Sequence, residues 1–386
     1  MEYLAPFKEG IDLIREAGGD AFKLCWQCGL CSASCPWNTV RTFLTHKMIC
    51  QSRYGLVDLE DEDWWLCSTC NLCVSRCPRG VAITDIIRAA RKIMLEFQYE
   101  RAPASLRSAI GNLSSEGNPW GNERSKRAVW ASDLGIKPFS SQEHEVLYFP
   151  CCVPAYDPKL GSVARATALL LRSAGVAFGI LGERESCCGE SVRKAGHESL
   201  FESLMKGNLA AFKESGVKEI IVTSPHCLTT FKEDYPGLTG ETRVLHFAQV
   251  LAELAAKGKL PFKKALQKKI VYHDPCYLGR HNGIYDEPRI VLGSIPGVTL
   301  MDEVECRENS LCCGGGGGRI WMETLKGERF SDILVEQAVG MGADMLVTAC
   351  PYCLLNFKDS VVTSDKEGVL EVKDISEVVL EAMGDE

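Results

Sequence analysis

The segment Val146-Leu-Tyr-Phe-Pro-Cys151 returns further along the chain as Val271-Tyr-His-Asp-Pro-Cys276. Two later pairs keep the same order: Cys187-Cys188-Gly189 with Cys312-Cys313-Gly314, and Glu219-Ile-Ile-Val-Thr-Ser-Pro-His-Cys227 with Asp344-Met-Leu-Val-Thr-Ala-Cys-Pro-Tyr-Cys353. Matching order and spacing mark a duplication over residues 145–386, with copy one at 145–262 and copy two at 263–386. In each copy short apolar runs alternate with helical stretches, among them Ser162 to Ser173, Glu198 to Lys213 and Arg329 to Val339. That alternation predicts α/β layers with parallel strands. The cysteines fall where strands are expected to end, the usual place for ligands in an open α/β sheet.

Ahead of the duplication one cysteine run occurs twice, as Cys25-x-x-Cys28-x-x-Cys31-x-x-x-Cys35-Pro36 and Cys67-x-x-Cys70-x-x-Cys73-x-x-x-Cys77-Pro78. Three thiolates at this spacing grip three irons of one cubane. Where two such runs share a chain, the fourth cysteine, followed by proline, ligates the other cluster. The assignment is therefore crossed: Cys25, Cys28, Cys31 and Cys77 for one 4Fe–4S cluster, Cys67, Cys70, Cys73 and Cys35 for the second. Paired zinc sites are the alternative, but zinc prefers two separated Cys-x-x-Cys pairs. Residues 1–100 read as a small, mostly helical domain. Thr39 is placed to cap a helix with Val40, Phe43, Leu44 and Met48 on its apolar face and Gly55 beyond its end; Ile83, Ile86, Ile87, Ala90 and Met94 repeat at helical spacing. Asp58 to Asp63 form an acidic approach to Trp64 and Trp65, which with Trp26 and Trp37 are expected to shield the clusters and fill the core. Residues 101–144 shift to Ser, Gly, Asn and Arg, with a turn at Asn118-Pro119-Trp120-Gly121, and read as a connecting arm pinned to the surface by Trp120 and Trp130.

The chain has 386 residues, 46% of them hydrophobic, a net charge of −8 and 20 cysteines. This length allows two or three domains with real cores. The acidic balance argues against nucleic acid as a partner, and no apolar run is long enough to cross a bilayer. Met1-Glu-Tyr-Leu-Ala-Pro reads as an amphipathic lead-in without a targeting signal. Disulfide scaffolds are short and secreted. A long chain with cysteines at metal-ligand intervals is expected in the reducing cytoplasm, most of its thiols bound to iron.

Copy two carries Cys276, the pair Cys312-Cys313, and Cys350-x-x-Cys353, more thiols than a cubane needs. Adjacent cysteines do not easily serve two corners of one tight cube, but they can bridge or clasp an opened cluster. Gly314 to Gly318 clear side chains from beside the pair, so backbone can approach sulfur and a small substrate can reach the metal. A phosphate loop is disfavoured because no Gly-Lys-Ser/Thr follows. Copy one keeps Cys151, Cys187, Cys188 and Cys227 but has Ser224 where copy two has Cys350. Cys152 restores the count of five but, on this reading, not the geometry, and serine is a poor ligand for a soft metal. An ordinary cubane, a differently bound cluster and zinc all stay open for copy one. Cys50 and Cys306 read as packed thiols. His226, His273 and His281 read as hydrogen-bonded structural histidines ahead of proton donors. Arg280 reads equally as an attractor of an anionic substrate or as a surface salt bridge.

The linked helices of residues 1–100 resemble the helical ferredoxin domains of respiratory iron–sulfur subunits. The pattern Cys, Cys-Cys-Gly, Cys-x-x-Cys is similar to the CCG domain of heterodisulfide reductases. The whole chain resembles the D subunit of those enzymes, or a fusion of their C and B subunits. The family also takes in iron–sulfur subunits of anaerobic glycerol-3-phosphate and glycolate dehydrogenases. The resemblance implies an N-terminal helical two-cluster domain followed by a duplicated α/β CCG domain. It implies two cubanes, a noncubane 4Fe–4S cluster at Cys276, Cys312, Cys313, Cys350 and Cys353 as the catalytic site, and a further cluster or zinc at copy one. The expected function is an electron-transfer subunit of a redox complex that reduces a disulfide or similar acceptor. Its expected partners are a flavoprotein or iron–sulfur donor subunit and a membrane-bound or catalytic acceptor subunit. The alternative is a non-catalytic conduit between a dehydrogenase or flavoprotein and a quinone or separate reductase. No flavin or nucleotide fingerprint is present, so a donor partner is required.

Overall fold

A computed structural model describes residues 5–384. The first part of the lead-in, residues 1–4, lies outside them. The rear of the chain forms two four-stranded sheets, all of whose strands are parallel. In copy one the strands are β1 (Val146–Phe149), β2 (Phe178–Gly179), β3 (Glu219–Val222) and β4 (Arg243–His246), in the order β2-β1-β3-β4. In copy two they are β5 (Lys268–Tyr272), β6 (Val298–Asp302), β7 (Met345–Thr348) and β8 (Glu371–Asp374), in the order β6-β5-β7-β8. Central strands β1 and β7 are buried along their whole length, as parallel strands covered on both faces must be.

This strand order positions the cysteines. From β1 the chain crosses to one side for β2 and back to the other side for β3, so the connections diverge between β1 and β3, and likewise between β5 and β7. Such a switch point opens a crevice at the carboxyl ends of the strands. Cys151 follows β1 and Ser224 follows β3; Cys276 follows β5 and Cys350 follows β7. The copies pack reciprocally. Helix Gly161–Ser173 of copy one lies on helix Ile375–Met383 of copy two, and helix Phe247–Ala256 lies on Asp286–Gly293. In both contacts a helix between the first two strands of one copy meets the last helix of the other, so the packing is reciprocal.

The front domain is helical, and helix Ile83–Gln98 buries Ile83, Ile86, Ile87, Ala90 and Met94 on one face. The helix expected from Thr39 begins instead at Thr45 and runs to Tyr54. Asn38, in the 3₁₀ turn Pro36–Thr39, accounts for the difference: its side chain donates to the carbonyl of Phe43 at 2.7 Å and accepts from the Phe43 amide at 2.9 Å, holding residues 40–43 in a loop. Gly55 closes the helix in the left-handed conformation (φ +69°), as expected of a C-cap glycine. The stretch read as a connecting arm is more than that. It holds helix Ala104–Glu116 and a 3₁₀ segment, Arg124–Ala131, that drives Arg127 and Trp130 into the interior of copy one. Among the described residues no helix is long and apolar enough to cross a membrane.

Candidate metal centres

Four groups of cysteines lie in the molecule. In the front domain one cavity is lined by Cys25, Cys28, Cys31 and Cys77, and a second by Cys35, Cys67, Cys70 and Cys73. Each takes three cysteines from one run and the fourth from the other. Local backbone aims amides at sulfur: Gln27 (φ +59°) and Thr69 (φ +49°) turn their N–H groups to Cys25 and Cys67 at 3.3 and 3.4 Å, and the Val81 amide donates to Cys77 at 3.4 Å. Burial pushes the Cys31 thiol up to about 11 and raises Cys35 further. Thiols held up in this way become thiolates when a cation takes up their charge. Cys28 and Trp26 are exposed, so the first cavity reaches the surface, whereas Trp37, Trp64 and Trp65 are buried in the core.

In copy two the five thiols touch in series. Cys276 Sγ lies 3.9 Å from Cys312 Sγ, the adjacent Cys313 follows, its Sγ lies 3.1 Å from Cys353 Sγ, and Cys353 reaches Cys350. Hydrogen bonds from Cys312 and Cys353 pull the Cys313 thiol below its ordinary value. In copy one the series is Cys152, Cys187, Cys188, Cys227 and Cys151. All five are buried, so Cys152, left aside on sequence grounds, stands among them. Copy one also draws in a residue that the sequence did not reveal. Arg127 donates from Nη1 to Cys152 Sγ at 3.5 Å and from Nε to the buried Glu185 at 3.0 Å. Asn208 braces the pair, accepting from the Ser186 amide at 2.9 Å and donating to the Cys187 carbonyl at 3.1 Å.

The second front cavity abuts copy two. Ser68 Oγ is 3.5 Å from Cys312 Sγ, and Cys70 is within hydrogen-bonding reach of the same sulfur. Gly316 and Gly317 make this approach possible, since a Cβ there would stand 2.3 Å from the Ser68 carbonyl oxygen and 2.5 Å from that of Cys67. The glycine run thus seats the front domain, while Gly314 donates its amide to Cys312 Sγ at 3.3 Å. Arg280 makes no ion pair among the described residues; it donates to the carbonyls of Cys70 (2.8 Å), Ser310 (2.7 Å) and Glu308 (3.2 Å) between the two cysteine groups. Arg91 donates to the carbonyls of Trp64, Cys67, Lys194 and Gly317, joining the front domain to both copies.

Where the copies face each other, copy one lends groups to copy two. His226 reaches the Cys350 thiol, and its Nδ1 lies 3.2 Å from Glu190 Oε2, an ion pair without hydrogen-bond alignment. Burial opposes charge on this ring, but Glu190 and Cys350 outweigh it and lift His226 to about 10. Tyr277 stacks between His226 and His281, donates to Glu190 Oε1 at 2.6 Å and meets Thr69 Oγ1 at 2.7 Å. His273 pairs with Glu303 at 2.9 Å and His281 bonds the Thr69 carbonyl at 3.0 Å. On its other side copy two opens into a cleft of about 1010 Å³ that reaches Cys313 and Gly314 and is lined by Trp37, Arg319, Phe330 and Asn356, among others.

The donors fit iron–sulfur clusters. Among the described residues no three Cys, His, Asp or Glu side chains converge on a single-ion position. The sites offer soft thiolates in numbers that suit iron and sulfide. Among the buried polar atoms beside them that have no hydrogen-bond partner are Arg127 Nη2, Arg280 Nη2 and Ser224 Oγ.

Comparison with known proteins agrees with this layout. Residues 21–81 match the 4Fe-4S dicluster domain, and residues 146–232 and 270–358 each match the cysteine-rich CCG domain. The D subunit of the dihydromethanophenazine:CoB–CoM heterodisulfide reductase of Methanosarcina barkeri is 32% identical over 82% of this chain and 77% of its own length. The EtfAB:quinone oxidoreductase of Syntrophomonas wolfei is 37% identical over 83% of this chain, and a probable iron–sulfur-binding oxidoreductase of Bacillus subtilis is 34% identical over 84%. The match spans only 47% of each of these two relatives. A dicluster domain ahead of two CCG domains defines an iron–sulfur oxidoreductase. The chain belongs to the family of the heterodisulfide reductase D subunits.

Proposed function

We propose that this chain carries electrons from a donor protein to an acceptor held against copy two, and that the acceptor is a disulfide. In this reading Cys25, Cys28, Cys31 and Cys77 hold the entry cubane and Cys35, Cys67, Cys70 and Cys73 the second. Cys276, Cys312, Cys313, Cys350 and Cys353 hold a noncubane cluster, and copy one holds a further cluster. Bound clusters supply one-electron carriers. The observation that carries the reading is the contact of Ser68 and Cys70 with Cys312, which leaves no protein layer between the second cavity and copy two. The exposed edge at Cys28 and Trp26 suits a donor, which fits a chain without a flavin or nucleotide fingerprint.

Reducing one disulfide takes two electrons and two protons and leaves two thiols. The cleft at Cys313 admits a small molecule; Asn356 and Arg319 offer donors in it, and Phe330 and Trp37 offer apolar wall. His226, held by Glu190, keeps an N–H beside Cys350, and solvent reaches the other side through the cleft. Arg280 balances negative charge at Cys276 and Cys312.

The quinone conduit stays as a second reading because the relative from Syntrophomonas wolfei is named a quinone oxidoreductase. One experiment separates them: candidate thiols are added to the oxidised, anaerobically purified protein while its EPR spectrum is recorded. A new thiol-dependent signal that Cys313→Ala abolishes supports disulfide chemistry. A spectrum indifferent to thiols, with rapid reoxidation by a soluble quinone, favours the conduit.

A further inference from the structure

The loss of a cysteine at position 224 looks like damage to copy one, but the contacts are rearranged around it. In copy two the thiols run Cys276, Cys312, Cys313, Cys353, Cys350. In copy one, Cys187, Cys188 and Cys227 occupy the matching middle places. The end that touches Cys187 is Cys152, not Cys151, and the end that touches Cys227 is Cys151. We propose that copy one is a complete five-thiolate cluster site made by an exchange of roles: Cys152 does there what Cys276 does in copy two, and Cys151 stands in for Cys350. This inference rests on the reading that copy one holds a cluster.

Three further features agree with the exchange. Cys151 has φ +68° and ψ 157°, a conformation that essentially only glycine adopts and that persists in other residues when the surroundings impose it. Cys276 has no such φ. The unusual backbone lets two consecutive side chains face opposite ends of one thiol series, and Cys152 then opens helix Cys152–Tyr156. In copy two the residue after Cys276 is Tyr277, whose ring leaves for the interface with Glu190 and Thr69, so there a single cysteine serves. Second, each copy places one arginine beside its first thiol: Arg127 at Cys152 and Arg280 near Cys276. Each arginine has a buried Nη2 without a protein partner. Third, Ser224, at the place Cys350 holds in copy two, is fully buried and offers only a hydroxyl, a poor ligand for a soft metal.

The test uses full-length protein made and purified without oxygen, with iron, acid-labile sulfide and zinc counted per chain and Mössbauer spectra recorded. Four clusters give about sixteen irons per chain. Zinc at copy one in the wild type, or about twelve irons with no zinc, would remove the underlying reading before any variant is compared. With sixteen present, Cys152→Ser is expected to lose about four irons, as many as Cys188→Ser, while Ser224→Ala keeps them all. Full iron and an unchanged spectrum in Cys152→Ser, or loss in Ser224→Ala, would overturn the exchange. A second-site regain of iron is a readout that misfolding cannot mimic. Cys151→Gly, which tolerates the backbone, is expected to lose the copy-one iron, and Cys151→Gly with Ser224→Cys to regain it by restoring the arrangement of copy two. A double variant as depleted as the single one would show that Cys151 does not replace Cys350.

Discussion

Arg91 sits on the apolar face of helix Ile83–Gln98, fully buried, with its charge shared among four backbone carbonyls from three parts of the chain. A buried cation is tolerable only with such complete satisfaction. Arg91→Met leaves those carbonyls unpaired and is expected to cost at least about 3 kcal/mol, seen as a lower urea midpoint by tryptophan fluorescence; a loss under about 1 kcal/mol would refute the clamp. Helical periodicity marks the face on which Arg91 lies but not that an arginine belongs there. Arg127 was equally hidden, because an arginine in the charged run Glu123-Arg-Ser-Lys-Arg127 looks solvated. Both answer to partners far away in sequence, and spacing cannot show these.

At the scale of elements, helix Phe247–Ala256 is capped by His246, whose Nδ1 accepts from the Ala248 amide at 3.1 Å while Nε2 donates to the Thr223 carbonyl at 3.0 Å. The bond accepted at Nδ1 requires the neutral ring, whereas Nε2 donates in either state, and burial lowers His246 to about 4. The unfolded ring takes its proton near pH 6.5, the folded one near 4. Stability from this cap is therefore present above pH 6.5 and lost as pH falls towards 4, by up to about 3 kcal/mol. The difference in urea midpoint between wild type and His246→Gln should shrink over that window; a constant difference would contradict the cap. The same scale shows what propensity misses: Thr39 is a fair N-cap in isolation, yet Asn38 binds the backbone of Phe43 and postpones the helix to Thr45.

Across the whole molecule the second front cavity touches copy two at Cys312, and His226, Glu190 and Tyr277 link copy two to copy one. The contact between the front domain and copy two depends on two glycines. Gly316→Ala puts a Cβ 2.3 Å from the Ser68 carbonyl and must push the front domain away. The expected outcome is unchanged iron content with reduction of the copy-two cluster slowed relative to the front clusters, followed by freeze-quench EPR. Equal rates in wild type and variant would mean that electrons take another path. Ionic strength gives a complementary check: the buried step inside the chain should be insensitive to salt, whereas reduction by a charged donor protein at the exposed edge should respond to it.

Local chemistry was written in the order of residues. Cysteine intervals announced iron, the repeated segments announced a duplicated α/β region, and strand ends announced where ligands would gather, because thiolate spacing and hydrophobic period act over short stretches of chain. Which thiol touches which was settled only by folding. Cys151 and Cys152 change places relative to Cys276 and Cys350 through one backbone torsion, Arg127 and Arg91 arrive from remote segments, and the glycine run seats a neighbouring domain. These are contacts across long loops, and long-range packing selects among arrangements that the local pattern leaves equal.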